Sequence, residues 1–273
     1  MTHRDLTLLD ADWNHWPENA PAAVIAERAA RLGLEGLELG VYDPAVQLST
    51  ERLAEWQDVL QPHGLRVGAL LLSCPPDRWP DGALGAADPT MLLDAVEACA
   101  ATAVDLGLTV VGLWPGADDE DADRDVVAAT LARVAAIAQR YGLRVALEPK
   151  PGDLIGDPHR ALELIDSAGA SDHVGVLLDT GHELAAGHDL IALVAQLGDR
   201  LLHVHVGDSD GDADADLPAG RLHSLAPFLS ALAGVGYAGA LTPDLYGCVS
   251  DGVTGSVAAV GESYRHLRQA LQP

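Results

Sequence analysis

VALEPK (145–150), LLDTGH (177–182) and LLHVHVGD (201–208) are short apolar runs that each end in, or carry, a side chain able to hold a metal: Glu148, Asp179 and His205. Segments with helical periodicity separate them. Apolar strands alternating with helices read as βαβ units with a parallel sheet. Three ligands delivered from three successive strand ends point to a cation at the mouth of a parallel barrel. That arrangement suits chemistry on a small, oxygen-rich substrate.

The same pattern extends through the chain in both directions. Strands are expected at 6–9, 36–39, 66–72, 109–113, 144–147, 174–178, 201–206 and 240–242. Helices are expected at 21–32, 50–63, 89–106, 125–141, 158–168, 190–197, 222–233 and 257–271. Asp88-Pro89 and Asp157-Pro158 carry the cap and first-turn signature of helix starts. The run RVGALLL (66–72) is too apolar for a half-exposed strand. Eight βα units in 273 residues, with no linker and no break in composition, predict one (β/α)8 TIM barrel domain over 1–273. A doubly wound open sheet is the alternative, but it rarely needs eight regular units.

Charge narrows the partners. Asp and Glu number 41 against 16 Lys and Arg, a formal charge of −25. Phosphate recognition rests on Lys and Arg, so nucleic acid and anionic membrane surfaces are excluded as partners. No apolar run reaches the roughly 18 residues of a membrane helix. MTHRDLTLLDADW (1–13) has no long apolar core and no small-residue cleavage site, so no signal peptide is expected. Cys74, Cys99 and Cys248 are widely spaced and odd in number, which suits reduced thiols in a cytoplasmic chain.

In parallel barrels the active site lies at the C-terminal ends of the strands. Glu148 and Asp179 end strands five and six. In strand seven His203 and His205 share a face, and His205, nearer the C-terminal end, is assigned as ligand. Asp244, in LTPDLYG (241–247), ends strand eight and is the fourth candidate. Three carboxylates and one imidazole form a hard site. Mn2+ suits it best, with Mg2+, Co2+ and Zn2+ as alternatives. Each residue also has a plain structural reading. Asp179 before Thr180-Gly181, for example, fits an Asx turn. Four such placements on strands five to eight are harder to explain in that way.

These residues resemble the xylose isomerase-like TIM barrel superfamily of sugar isomerases and epimerases, which also includes inosose-processing enzymes and endonuclease IV. The matching pieces are LGLEGLELG (32–40), YGLRVALEPK (141–150), VLLDTGHELAAG (176–187), LLHVHVGD (201–208) and GVGYAGALTPDLYG (234–247). The resemblance implies a divalent metal on Glu148, Asp179, His205 and Asp244, with His182 beside the substrate oxygens. It implies a sugar, ketose or inosose-type polyol as substrate, with proton transfer through an enediolate. Glu148 and Asp244 would be the acid/base pair. The family usually carries Glu at the strand-eight position. The shorter Asp244 reaches about 1.3–1.5 Å less far, by standard bond geometry. Leu154 replaces a family Glu six residues after the first ligand. Asp244 weighs against two-base epimerisation and Leu154 against a typical ketohexose pocket, and together they keep a metal-dependent dehydratase or lyase as the alternative.

Other residues are candidates for the mouth of the barrel. Trp13 and Trp114 offer aromatic faces for a sugar ring, or simply shield the barrel. Glu38 could bind a hydroxyl or sit in a buried ion pair. Lys150 and Arg221 could meet an anionic group or remain solvated. His188 and His266 are assigned no role. The acidic loop GDSDGDADADLP (207–218) fails as an EF-hand, because positions six and twelve from Asp208 are Ala213 and Ala219. An endonuclease is disfavoured because strands two and three end in Glu38-Leu39 and Ser73-Cys74, not in extra histidines. A non-catalytic ligand-binding barrel and a homodimer both remain compatible with the sequence.

Overall fold

The computed structural model describes residues 6–116 and 122–271; residues 1–5 of the N-terminal reading lie outside that range. Eight parallel strands close into a barrel in sequence order. They are β1 (Thr7–Ala11), β2 (Gly36–Val41), β3 (Arg66–Ser73), β4 (Val110–Trp114), β5 (Arg144–Leu147), β6 (Val174–Asp179), β7 (Leu201–Val206) and β8 (Ala240–Pro243). The helices are α1 (Ala22–Arg31), α2 (Pro44–Gln47), α3 (Thr50–Leu60), α4 (Thr90–Asp105), α5 (Arg124–Tyr141) and α6 (Pro158–Ser167), followed by α7 (Thr180–Ala185), α8 (Leu190–Leu197), α9 (Ala226–Gly234), α10 (Tyr246–Ser250) and α11 (Ser256–Ala270).

The backbone packs as two compact units. One holds β1, α1, most of β2, most of α3, and the chain from the end of β6 onward. Within it β1 pairs with β2, setting Ala11 against Glu38, and with β8, setting Leu8 against Leu241. β7 pairs with β8, setting His205 against Thr242. The other unit holds most of β3, all of β4 and β5, and most of β6. There Leu72 pairs with Leu113, Leu113 with Leu147, and Leu147 with Val176.

Apolar strands suit this architecture because both faces of each strand are covered. Leu9, Leu37, Leu72, Leu147, Leu177 and Val204 are fully buried. Each such side chain contributes roughly 1.5–3 kcal/mol of transfer free energy. Asp157-Pro158 caps its helix as read, whereas α4 starts at Thr90 with Pro89, not Asp88, at the cap position. Asp157 accepts the Arg160 amide at 2.9 Å and Asp88 the Thr90 amide at 3.0 Å. The helix α5 ends at Gly142, whose φ of 68° is open to glycine at little cost.

Three differences from the sequence expectation have local causes. The helix expected from 222 begins at Ala226, because the amides of Leu222 and His223 are drawn onto Asp208 instead. The short α7 begins immediately after β6, capped by Asp179. The five-residue α10 follows β8 where only loop was expected.

Candidate metal centre

β6 delivers Asp179 at its last position. The carboxylate is 3% exposed, and its Oδ1 accepts the amides of Gly181 at 2.6 Å and His182 at 3.0 Å. The Asx reading of this residue is therefore correct as geometry. It occupies one oxygen and leaves Oδ2 with its lone pairs. The cap also holds His182, 4% exposed, in the first turn of α7.

β7 contributes two imidazoles in consecutive layers, His203 and His205, edge-on with ring centroids 5.2 Å apart. Behind them lies Glu38 from β2, fully buried. Its carboxylate receives His203 Nε2 at 2.8 Å and His205 Nε2 at 3.3 Å. Burial opposes ionisation of Glu38. The charges of and hydrogen bonds from the two imidazoles outweigh it and hold the carboxyl well below the usual range. A carboxylate only accepts, so Nε2 of His205 is the donor toward Glu38, and Nδ1 lies on the side of Asp244. Imidazole metal ligands are commonly oriented in this way, by a carboxylate on the other ring nitrogen.

β8 delivers Asp244 one residue beyond its end. Asp244 Oδ2 lies 3.9 Å from His205 Nδ1, and Oδ1 accepts the Trp13 indole N–H at 2.9 Å. The Trp13 ring also packs against the His205 ring, with centroids 5.7 Å apart. Asp179, His205 and Asp244 each offer one ligand atom, and these atoms lie within 4.8 Å of one another. Glu38, His203 and His205 form a second metal-capable group that shares the same imidazole. Every member of that second group is buried, and Glu38 already binds both imidazoles at hydrogen-bond distance. This geometry suits Glu38 to orienting His205.

The other unit carries Glu148 immediately after β5. Glu148 is 4% exposed, and its amide donates to the Leu113 carbonyl at 2.9 Å. Around the following turn, the Trp114 indole donates to Asp153 at 2.8 Å and Lys150 Nζ sits 5.7 Å from the Trp114 ring centre. The ammonium thus rests over an aromatic face. Leu154 is buried. Arg221 binds Glu262 through two hydrogen bonds of 2.9 and 2.7 Å, so its guanidinium is occupied by a protein carboxylate.

Several polar residues of the centre escaped sequence reasoning. Asp10, within β1, and Asn14, just after it, are fully buried. Asn14 donates to Asp10 at 3.2 Å and to the Pro243 carbonyl at 2.9 Å, and it accepts the Leu245 amide at 2.9 Å. Asp10 also binds His15 at 3.0 Å. Glu183, 1% exposed, pairs with His188 at 2.6 Å, which gives that histidine a partner. The only signal for Asp10 and Asn14 was the unusual density of polar groups in DADWNH (10–15) beside an apolar strand. His266 also has a role, accepting the Leu225 amide at 3.1 Å.

The model of the xylose isomerase-like TIM barrel family matches residues 26–270. The chain belongs to that family. Within the family, it is 29% identical over 253 residues to a xylose isomerase of Thermus caldophilus, covering 81% of this chain and 65% of the relative. It is 29% identical over 219 residues to the xylose isomerase of Thermus thermophilus, covering 70% and 56%. The family member described here thus spans less than two thirds of either relative. Among solved structures, a D-tagatose 3-epimerase-like protein superposes with a TM-score of 0.78 at 19% identity, over 97% of both chains. A D-allulose 3-epimerase from Methylomonas sp., in complex with D-allulose, gives 0.74 at 19% identity, also over 97% of each. At these identities the structural likeness establishes the shared fold.

Proposed function

We propose that this chain is a divalent-metal-dependent isomerase or epimerase acting on a sugar, ketose or inosose-type polyol. The observation that carries this reading is the convergence of Asp179, His205 and Asp244 within 4.8 Å, with Glu38 fixing the imidazole from behind. We assign Glu148 as the fourth ligand. It is a buried carboxylate at the end of β5, the neighbour of β6 in the closed barrel. Three carboxylates and one imidazole suit Mn2+ best, with Mg2+, Co2+ and Zn2+ as alternatives. When bound, such an ion supplies Lewis acidity to the carbonyl and hydroxyl oxygens of the substrate.

The chain's own groups then divide the work. Glu148 removes a proton from the carbon beside the carbonyl and returns it through an enediolate. His182 binds a substrate oxygen, and Trp13 or Trp114 covers a face of the sugar. Lys150 compensates the growing negative charge. The xylose isomerases and 3-epimerases that this chain resembles support a sugar substrate. No helix among the described residues is long and apolar enough to cross a membrane, and the net charge of −25 repels nucleic acid.

Asp244 bears on which reaction follows. The Trp13 indole N–H engages one of its two carboxylate oxygens, and as a ligand it would commit the other to the metal. That favours a mechanism with one base, Glu148, over two-base epimerisation. The same observation supports a second reading, a dehydratase in which the enediolate expels a β-hydroxyl. The test is Mn2+-loaded protein in deuterated water with a panel of ketoses and inososes. Deuterium enters the substrate carbon for an isomerase, and loss of water by mass marks the dehydratase. Glu148→Gln lowers either rate by about 10²–10⁴-fold. Absence of any C–H exchange across the panel overturns the proposal.

A further inference from the structure

We infer that Trp13 and Asn14 are positioning residues that set the reach of Asp244 toward the metal. The inference rests on the ligand set of the proposed function and adds two residues outside it.

Aspartate has a short side chain. The position of its oxygens is therefore decided mainly by its backbone and by whatever grips the carboxylate. In this chain both are controlled from the exit of β1. Asn14 uses its amide group as a two-sided clamp. Nδ2 donates to the Pro243 carbonyl at 2.9 Å and Oδ1 accepts the Leu245 amide at 2.9 Å. The two contacts bracket Asp244 on either side. Asp10, which accepts from the same Nδ2 at 3.2 Å, fixes which way the amide faces. Both Asp10 and Asn14 are 0% exposed, so water does not compete for these bonds. Asp10 is anchored in turn by His15, whose Nδ1 lies 3.2 Å from Ser256 Oγ at the start of α11.

Trp13 then orients the carboxylate itself. Its indole N–H takes Oδ1 at 2.9 Å, with the Tyr246 amide a longer second donor at 3.4 Å. Oδ2 is left on the side of His205, 3.9 Å from Nδ1. The same indole packs against the His205 ring. One side chain thus registers two ligands against each other: the imidazole through its ring and the carboxylate through its N–H. Proximity of β1 to β8 makes this coupling available, since Leu8 pairs with Leu241.

The test is direct metal binding, followed by Mn2+ electron paramagnetic resonance and by the visible spectrum of the Co2+-loaded chain. Trp13→Phe keeps the ring and deletes the N–H. It is expected to weaken Mn2+ binding by about 10–100-fold, the usual cost of losing a group that orients a ligand, and to alter the Co2+ spectrum. Asn14→Ala is expected to act in the same direction. Circular dichroism and thermal melting verify that each variant is folded. Asp244→Glu supplies the reading that a merely structural role would not move. Its longer side chain depends less on the clamp, so Trp13→Phe costs less in that background, giving a non-zero coupling in the double-mutant cycle. Should either folded variant bind Mn2+ like the parent, or the cycle show no coupling, the inference fails. Failure of the unmodified chain to bind Mn2+ would instead overturn the metal-dependent function itself, which keeps the two outcomes apart.

Discussion

Asp179 and Asp208 both follow apolar strands, and both are buried, at 3% and 0% exposure, yet their carboxylates are used in different ways. Asp179 receives its two amides on a single oxygen. Asp208 is satisfied on both. Oδ1 accepts from the Ser209 amide at 2.9 Å and His223 Nδ1 at 2.6 Å, and Oδ2 from the amides of Leu222 at 2.6 Å and His223 at 2.8 Å. A carboxylate has about four acceptor sites, and Asp208 has filled them with the loop it organises. Two further carboxylates of that acidic loop each accept a backbone amide. Asp212 accepts the Asp214 amide at 2.9 Å and Asp216 the Gly247 amide at 2.8 Å, where a Cβ on Gly247 would stand 2.0 Å from the Asp214 carbonyl. Asp179 and Asp208 share residue type and burial. The two carboxylates differ in how many of their lone pairs the fold has already taken.

The sharpest way to break this comparison is Asp179→Asn. It should reduce Mn2+ affinity by more than the ~10–100-fold cost of losing an orienting partner. Isothermal titration measures this, and unchanged affinity would show that the half-satisfied carboxylate is not a ligand. The converse substitution is Asp208→Asn. It places an amide donor where donors already point, and should cost roughly 1.5–3 kcal/mol of stability, read as a fall of several degrees in Tm. Mn2+ affinity should stay within about twofold, because the loop carboxylate is not part of the centre. A large loss of affinity without loss of stability would contradict the distinction.

Glu183 is the intermediate case, a buried carboxylate with His188 as its hydrogen-bond partner. Burial is the dominant influence and pushes its pKa up to about 7, against the opposing bond and charge of His188 and the charge of His182. The fold therefore favours the neutral form. That stabilisation is complete below about pH 4.5, the ordinary value, and is lost as pH rises through 7. Melting in the presence of a chelator should show Tm falling across this window. Glu183→Gln should flatten the profile by a smaller effect than either substitution above, and an unaltered slope would assign the pH dependence elsewhere.

Much of the fold was legible from periodicity. The limits of β5, β7 and α8 coincide with those read from apolar patterning, since those segments end at clear chemical boundaries. Errors fell where a side chain from elsewhere claims a backbone amide. Helix α9 starts late because Asp208 captures the Leu222 and His223 amides, and no local propensity encodes a capture from fourteen residues away. In the centre, strand-end positions pointed to Asp179, His205 and Asp244. Glu38 remained ambiguous, because a glutamate toward the end of a strand looks the same whether it faces water or two imidazoles. Asn14 could not be found, because its partners at Pro243 and Leu245 lie at the opposite end of the chain, and Asp10 is placed through Asn14 and His15.

The sequence by itself determined the parallel barrel and the residue types at its strand ends, because the period of apolar residues and the helix caps are local properties. Only the tertiary structure decided what each carboxylate does. Closure of β8 against β1 brings Trp13 and Asn14 onto Asp244, and pairing of β2 with β1 belongs to the same unit that holds Glu38 against His203 and His205. Asp179 is oriented by the amides that follow it, whereas Asp244 is oriented by Trp13 from 231 residues away, a contact that only the closed barrel supplies.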